Sequence, residues 1–216
     1  MTSTASDHAR FMGKVAAGAT HELRNVLAII KESAGLIEDV LAMAAERGAP
    51  PDPDKLRRAS GRIDAQVRRG SDLITALNRF AHCPDEGRAE VDLAAAAALA
   101  AALSDRFVRQ KGHRIEVAEA DRPVVATTSP LGLQLALFTM IDWIGRAGPP
   151  GSQISVAARL VGELPGVEVE CRDDGDDPTA DPAQAESRAE LETMADELGG
   201  RLETGPGVLR LTFPSG

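Results

Sequence analysis

The chain has 216 residues, enough for one large domain or two small ones with a core that needs no disulfide. Its 24 basic and 33 acidic residues leave a formal charge of -9, which argues against a nucleic-acid surface and against a polybasic membrane anchor. Five Phe, one Trp and no Tyr are too few for a platform that stacks bases or sugars, so the core must be aliphatic and Ala-rich, as in packed helices.

The N-terminal stretch MTSTASDHARFMGK lacks the apolar centre of a signal peptide. From Phe11 to about Ala45 there is no Pro, and Val15, Ala19, Leu23, Leu27 (or Val26), Ile30, Ala34, Ile37, Leu41 and Ala44 recur at steps of three and four. That spacing predicts one long amphipathic helix. ERGAPPDPD, residues 46–54, concentrates Gly and Pro and ends in Asp54, suited to cap a following helix. Leu56, Ala59, Ile63, Val67, Gly70, Ile74, Leu77 and Ala81 then predict a second helix from Asp54 to about His82, stopped by Pro84. Two such helices bury one face each. A homodimer that closes a four-helix bundle covers the rest of both stripes; the alternative is cover by the C-terminal part of the same chain.

CPDEGRAE, residues 83–90, breaks the pattern and marks the expected boundary between domains 1–85 and 86–216. Beyond it, Asp92 is placed to cap an Ala-rich helix to about Val108, and residues 112–119 alternate like a strand. The apolar run Leu93 to Leu103 is too short and Ala-rich to span a membrane, so a cytoplasmic protein is expected. Ser129, Pro130 and Leu131 open a helix to about Arg146. Residues 153–162 and 166–175 read as strands, 188–198 as a short helix, and 201–213 as a closing hairpin. The expected class is α+β: a helical hairpin in a dimeric four-helix bundle, followed by a small α/β sandwich. Cys83 and Cys171 have no C-x-x-C spacing, so reduced thiols and no metal site are expected.

Within the first helix stands HELRNVL, His21 to Leu27. His21 and Asn25 are four apart and share a face, while Leu23, Leu27 and Ile30 point to the bundle interior, so the imidazole faces solvent. A lone His such as His8 or His113 has the bland explanation of an exposed soluble residue, and His82 suits the C-terminal end of the second helix. HELRNVL resembles the H-box, H-E-x-x-N/T-x-L, of the dimerisation and phosphotransfer domain of two-component histidine kinases. The resemblance implies that His21 is the phosphoacceptor, that Glu22 takes the ring proton, and that Asn25 positions water when a partner is dephosphorylated. Many family members carry Pro where this chain has Val26, which implies a straighter helix here. A neutral imidazole beside a carboxylate is a sensible nucleophile, and Arg24 is placed to hold phosphoryl oxygens.

The resemblance continues into the kinases' ATP-binding domain. LGLQLALFTMIDWIGRAGPPGSQISVAARL is similar to L-x-Q-x-L-x-N-L-x-x-N-A-x-K-x-T, but Thr139 and Trp143 stand at the two Asn positions that serve magnesium, and Arg146 at the Lys. D-x-G-x-G appears as Asp173-Asp174-Gly175-Asp176-Asp177, with Asp173 and Gly175 kept and Asp177 replacing the second Gly. These carboxylates would repel a triphosphate. Residues 178–190 hold no Gly to cradle phosphates. LGGRLE and VLRLTFP match framework segments. The expectation is therefore a degenerate ATP-binding domain without ATP or magnesium of its own. The chain is expected to act as a histidine phosphotransferase between response-regulator receiver domains, whose acidic pockets supply magnesium. The alternatives are an autokinase with an atypical ATP site, a receiver-binding phosphatase or regulator that uses Asn25, and a purely structural dimer. Receivers are expected to dock on the first helix beyond His21 and on the second near Leu73 to Phe80.

Overall fold

The computed structural model describes residues 2–85, 87–172 and 185–214. Helix α1 spans Thr2–Glu46 and α2 spans Pro53–His82. α1 begins well before Phe11 because its polar leader contains neither Pro nor Gly, and it runs unbroken through Val26. At the other end of the loop the cap is Asp52 and not Asp54. Asp52 Oδ1 accepts the backbone N–H groups of Asp54 (3.0 Å) and Lys55 (3.2 Å), and Pro53 occupies the first helical position, where a missing N–H costs nothing. The Lys55 amide bond leads the effects that hold the Asp52 carboxyl below its ordinary 3.8. Asp54 instead pairs with Arg57 at 2.8 Å.

The chain divides into two compact units, residues 15–77 and residues 1–14 together with 78–216. In the first, α1 and α2 run antiparallel as a hairpin. Val26, Ser33 and Val40, each a heptad apart, are buried on α1, and Ala59, Gly70 and Ala76 on α2. Of the two candidates for the seam, Val26 is the one taken. Leu27, expected to point inward, is 63% exposed in the single chain. A Cβ on Gly70 would lie 3.2 Å from Val26 Cγ1, so glycine lets the two helices approach closely at that level.

The second unit is built from β1 (Ala89–Asp92), α3 (Leu93–Gln110), β2 (Arg114–Ala118), β3 (Val125–Thr128), α4 (Pro130–Ala147), β4 (Gln153–Val161), β5 (Leu164–Cys171), α5 (Ala185–Glu197), β6 (Arg201–Gly205) and β7 (Val208–Thr212). β1 and β3 form a two-stranded antiparallel sheet that sequence alternation did not mark. The other five strands lie in the order β2-β4-β5-β7-β6, with β2 parallel to β4 and the remaining pairs antiparallel. Side chains of α3, α4 and α5 join those of the sheet in one apolar core. The expected caps are used: Asp92 Oδ1 accepts from Ala94 and Ala95, and Ser129 Oγ accepts from Gly132. β5 starts earlier than expected and includes Pro165 and Gly166. A Cβ at Gly166 would meet the Leu211 carbonyl oxygen at 2.8 Å, so only glycine allows β7 to lie there.

Small side chains govern the packing of α3. Ala96, Ala97, Ala100 and Ala101 are buried, and the buried Gln134 of α4 donates from Nε2 to the Ala96 carbonyl at 3.1 Å. The scarce aromatics are gathered in the same unit: Phe11 meets Phe80 and Phe138 edge-on, Phe138 meets Phe107, and Lys14 Nζ lies 4.7 Å from the Phe138 ring centroid. His113 departs from expectation. It is buried at the entry to β2, with Nδ1 lacking a hydrogen-bond partner among the described residues.

Candidate functional site

HELRNVL lies in the middle of α1, where i and i+4 share a face, and the structure places His21 and Asn25 together there, both exposed. Asn25 Nδ2 is 3.4 Å from His21 Nδ1. The amide of Asn25 thus steadies the ring through one nitrogen, and the orientation of its O and N decides whether Nδ1 accepts or donates. Nε2 has no protein partner among the described residues and is the nitrogen presented outward. Arg24 is also exposed, with no ion-pair partner among the described residues.

Glu22 lies on a different face. One residue along a helix is a turn of about 100°, and its carboxylate points into the hairpin seam, where the side chain is 12% exposed and accepts from Arg69 Nη2 of α2. Arg69 was not singled out by the sequence, because 47 positions separate it from Glu22 and α2 carries several arginines. The Gly70 to Val26 contact brings α2 close at this level. The expected docking stretch is partly used up internally. Ala76 and Phe80 are buried, Leu73 and Leu77 are half-buried, and Ile74 is 57% exposed.

The second set of expected site residues is placed differently. Thr139 Oγ1 donates to the Leu135 carbonyl of its own helix at 2.9 Å. Trp143 is buried in the core of α3, α4, α5 and the sheet, and its Nε1 has no partner among the described residues. Asp173, Gly175 and Asp177 lie outside the described residues. Arg146 pairs with Asp142, which Lys111 also reaches at 2.8 Å. Burial opposes the charge on Asp142, but the bonds and charges of Lys111 and Arg146 outweigh it and hold the carboxyl below its ordinary 3.8.

The chain matches no protein-family model and no curated relative. Among solved structures it is similar to the cytoplasmic segment of histidine kinase QseC, at 17% identity over 61% of this chain and 80% of that one, with a TM-score of 0.48. It is also similar to the Acinetobacter baumannii histidine kinase AdeS (15% identity, 89% and 96% covered, TM-score 0.46). A third similarity is to the ATP binding domain of PrrB from Mycobacterium tuberculosis (18% identity, 60% and 100% covered, TM-score 0.44). At overlaps this loose, function is argued from the chain's own residues.

Those residues do not fit a nucleotide held through magnesium. Trp143 sets a buried indole, which has no oxygen to give a metal, where the resembled motif has an amide. Among the described residues no group of three or more His, Cys, Asp or Glu is arranged to hold a metal ion. No described helix is long and apolar enough to cross a membrane.

Proposed function

We propose that the chain is a histidine phosphotransferase of a two-component phosphorelay, in which His21 takes a phosphoryl group from one receiver aspartate and passes it to another. The observation that supports this most is the His21 site: an exposed imidazole with Nε2 open, Nδ1 steadied by Asn25, and the Glu22 carboxylate beside it in the seam. In the forward step Nε2 attacks phosphorus, the acyl phosphate P–O bond breaks, and the receiver carboxylate leaves with its electron pair. The ring proton passes to Glu22 directly or through one water, and Arg24 holds phosphoryl oxygens. Magnesium comes with the receiver, and the chain uses neither ATP nor a metal of its own.

The same reading takes the molecule as a cytoplasmic homodimer. Leu27, Val67 and Ile74 are each more than half exposed on the two hairpin helices, and a second copy covers them as the bundle closes. Asn25 reaches the ring itself, which favours a part in holding the nucleophile over a separate phosphatase role.

The test is transfer from a receiver domain phosphorylated with acetyl phosphate. Wild-type chain should become labelled in an acid-labile manner and His21→Ala should not. Equal labelling of His21→Ala would remove His21 from the reaction, and incorporation of label from ATP in the absence of any other kinase would replace this reading with an autokinase.

A further inference from the structure

Six arginines stand on α2: Arg57, Arg58, Arg62, Arg68, Arg69 and Arg79. Arg57 and Arg68 pair along their own helix with Asp54 and Asp64, and Arg62 reaches Glu32 on α1 at 3.7 Å with both side chains at least half exposed. Pairs of that kind contribute little to stability. Arg69 is different in its target and its burial. It crosses the seam to Glu22, the immediate neighbour of His21, and that carboxylate is mostly withdrawn from water. Withdrawing two charges from water costs free energy that their attraction roughly repays, so net stability is a weak reason for the pair. The level of the pair is also set by the backbone, because Gly70, next to Arg69, admits Val26 at a distance that any side chain would narrow.

Resting on the phosphotransfer reading above, we propose that Arg69 is a positioning residue for the reaction at His21. It fixes the Glu22 carboxylate at the level of the imidazole, so that the base is in place when Nε2 attacks. The N–P bond forms, the donor's bond to phosphorus breaks with its electrons going to the leaving group, and the Nδ1 proton moves to Glu22, leaving a neutral phosphoimidazole. Without Arg69 the carboxylate loses its tether across the seam and swings away from the ring, and misplacement by about 1 Å is enough to cost about a hundredfold in rate. Val26 and Gly70 act in the same device by setting the separation of the two helices.

Phosphoramidate, a small donor whose P–N bond breaks to release ammonia, tests this with the full chain and without any receiver contact. Arg69→Met and Glu22→Gln should each slow single-turnover labelling of His21 by about tenfold or more, with the half-saturating donor concentration unchanged. The double variant should be no slower than Glu22→Gln alone, and Arg69→Lys should recover most of the rate. Gly70→Ala, which pushes α2 away from Val26, should give a smaller loss of the same kind. Losses that multiply in the double variant, or a change confined to half-saturation, would overturn the role of Arg69 while leaving phosphotransfer standing. Wild-type chain that takes no label, or His21→Ala that takes it equally, would overturn the phosphotransfer reading and this one with it.

Discussion

In the C-terminal unit, Leu133, Leu137, Met140 and Ile141 of α4 are sealed between α3, α5 and the sheet, with almost no surface left to water. α1 and α2 of the hairpin each seal one stripe and leave Leu27, Val67 and Ile74 more than half exposed. Both regions are made from the same aliphatic, Ala-rich alphabet. The difference lies in layers: three helices and a five-stranded sheet can enclose one another, whereas two helices can only share a seam. The self-enclosed unit has its polar side chains committed to structure, as Gln134 and Thr139 show. The open hairpin carries the exposed imidazole, and its surplus apolar face calls for a second chain.

The sharpest way to test that contrast is to remove packing from each region. Leu137→Ala, at a fully buried position, should cost about 3 to 5 kcal/mol of stability, read by denaturant unfolding with the single Trp143 as the fluorescent probe. A loss under about 1 kcal/mol would mean that the core is looser than its burial implies. Ile74→Glu in the hairpin should change association instead of folding, turning a dimer into a monomer in sedimentation equilibrium while helicity is kept. If it sediments as wild type does, the exposed stripe is not the dimer face.

Charges give smaller effects. The Asp142 carboxyl is held below 3.8 in the folded chain, so its stabilisation is complete above that value and fades as pH falls through the lower folded value. Asp142→Asn should therefore cost on the order of 1 kcal/mol at neutral pH, discounted for its partial exposure, and almost nothing near pH 2. A variant whose deficit persisted in acid would show that Lys111 and Arg146 do not set this carboxyl. Asp52→Ala should lower the melting temperature of the hairpin slightly and leave the C-terminal unit unchanged, because Asp52 caps α2 alone.

Much of this was legible before the structure. The three- and four-residue steps located α1 and α2, Asp92 and Ser129 announced their helices, and the H-box placed His21 and Asn25 on one face. Local rules were less secure where two candidates stood side by side. Asp52 and Asp54 both suit a cap, and Pro53 decides between them by taking the first helical position. Val26 and Leu27 both suit a stripe, and Gly70 decides by leaving room opposite Val26. β1 and β3 are four residues each and gain their meaning from pairing with one another. His113, between Gly112 and Arg114, carries no periodic signal, so its burial could not be foreseen.

What the sequence determined by itself is what depends on neighbours along the chain: where helices begin and stop, which residues share a helical face, and that His21 stands on an exposed one. What only the tertiary structure decided is what depends on distant residues meeting. The tie from Arg69 to Glu22, the close approach at Gly70, the sealing of Trp143 in the core and the strand order β2-β4-β5-β7-β6 all belong to this class. A helix has the same local pattern whichever partner it meets, and the choice of partner is settled by packing the whole chain.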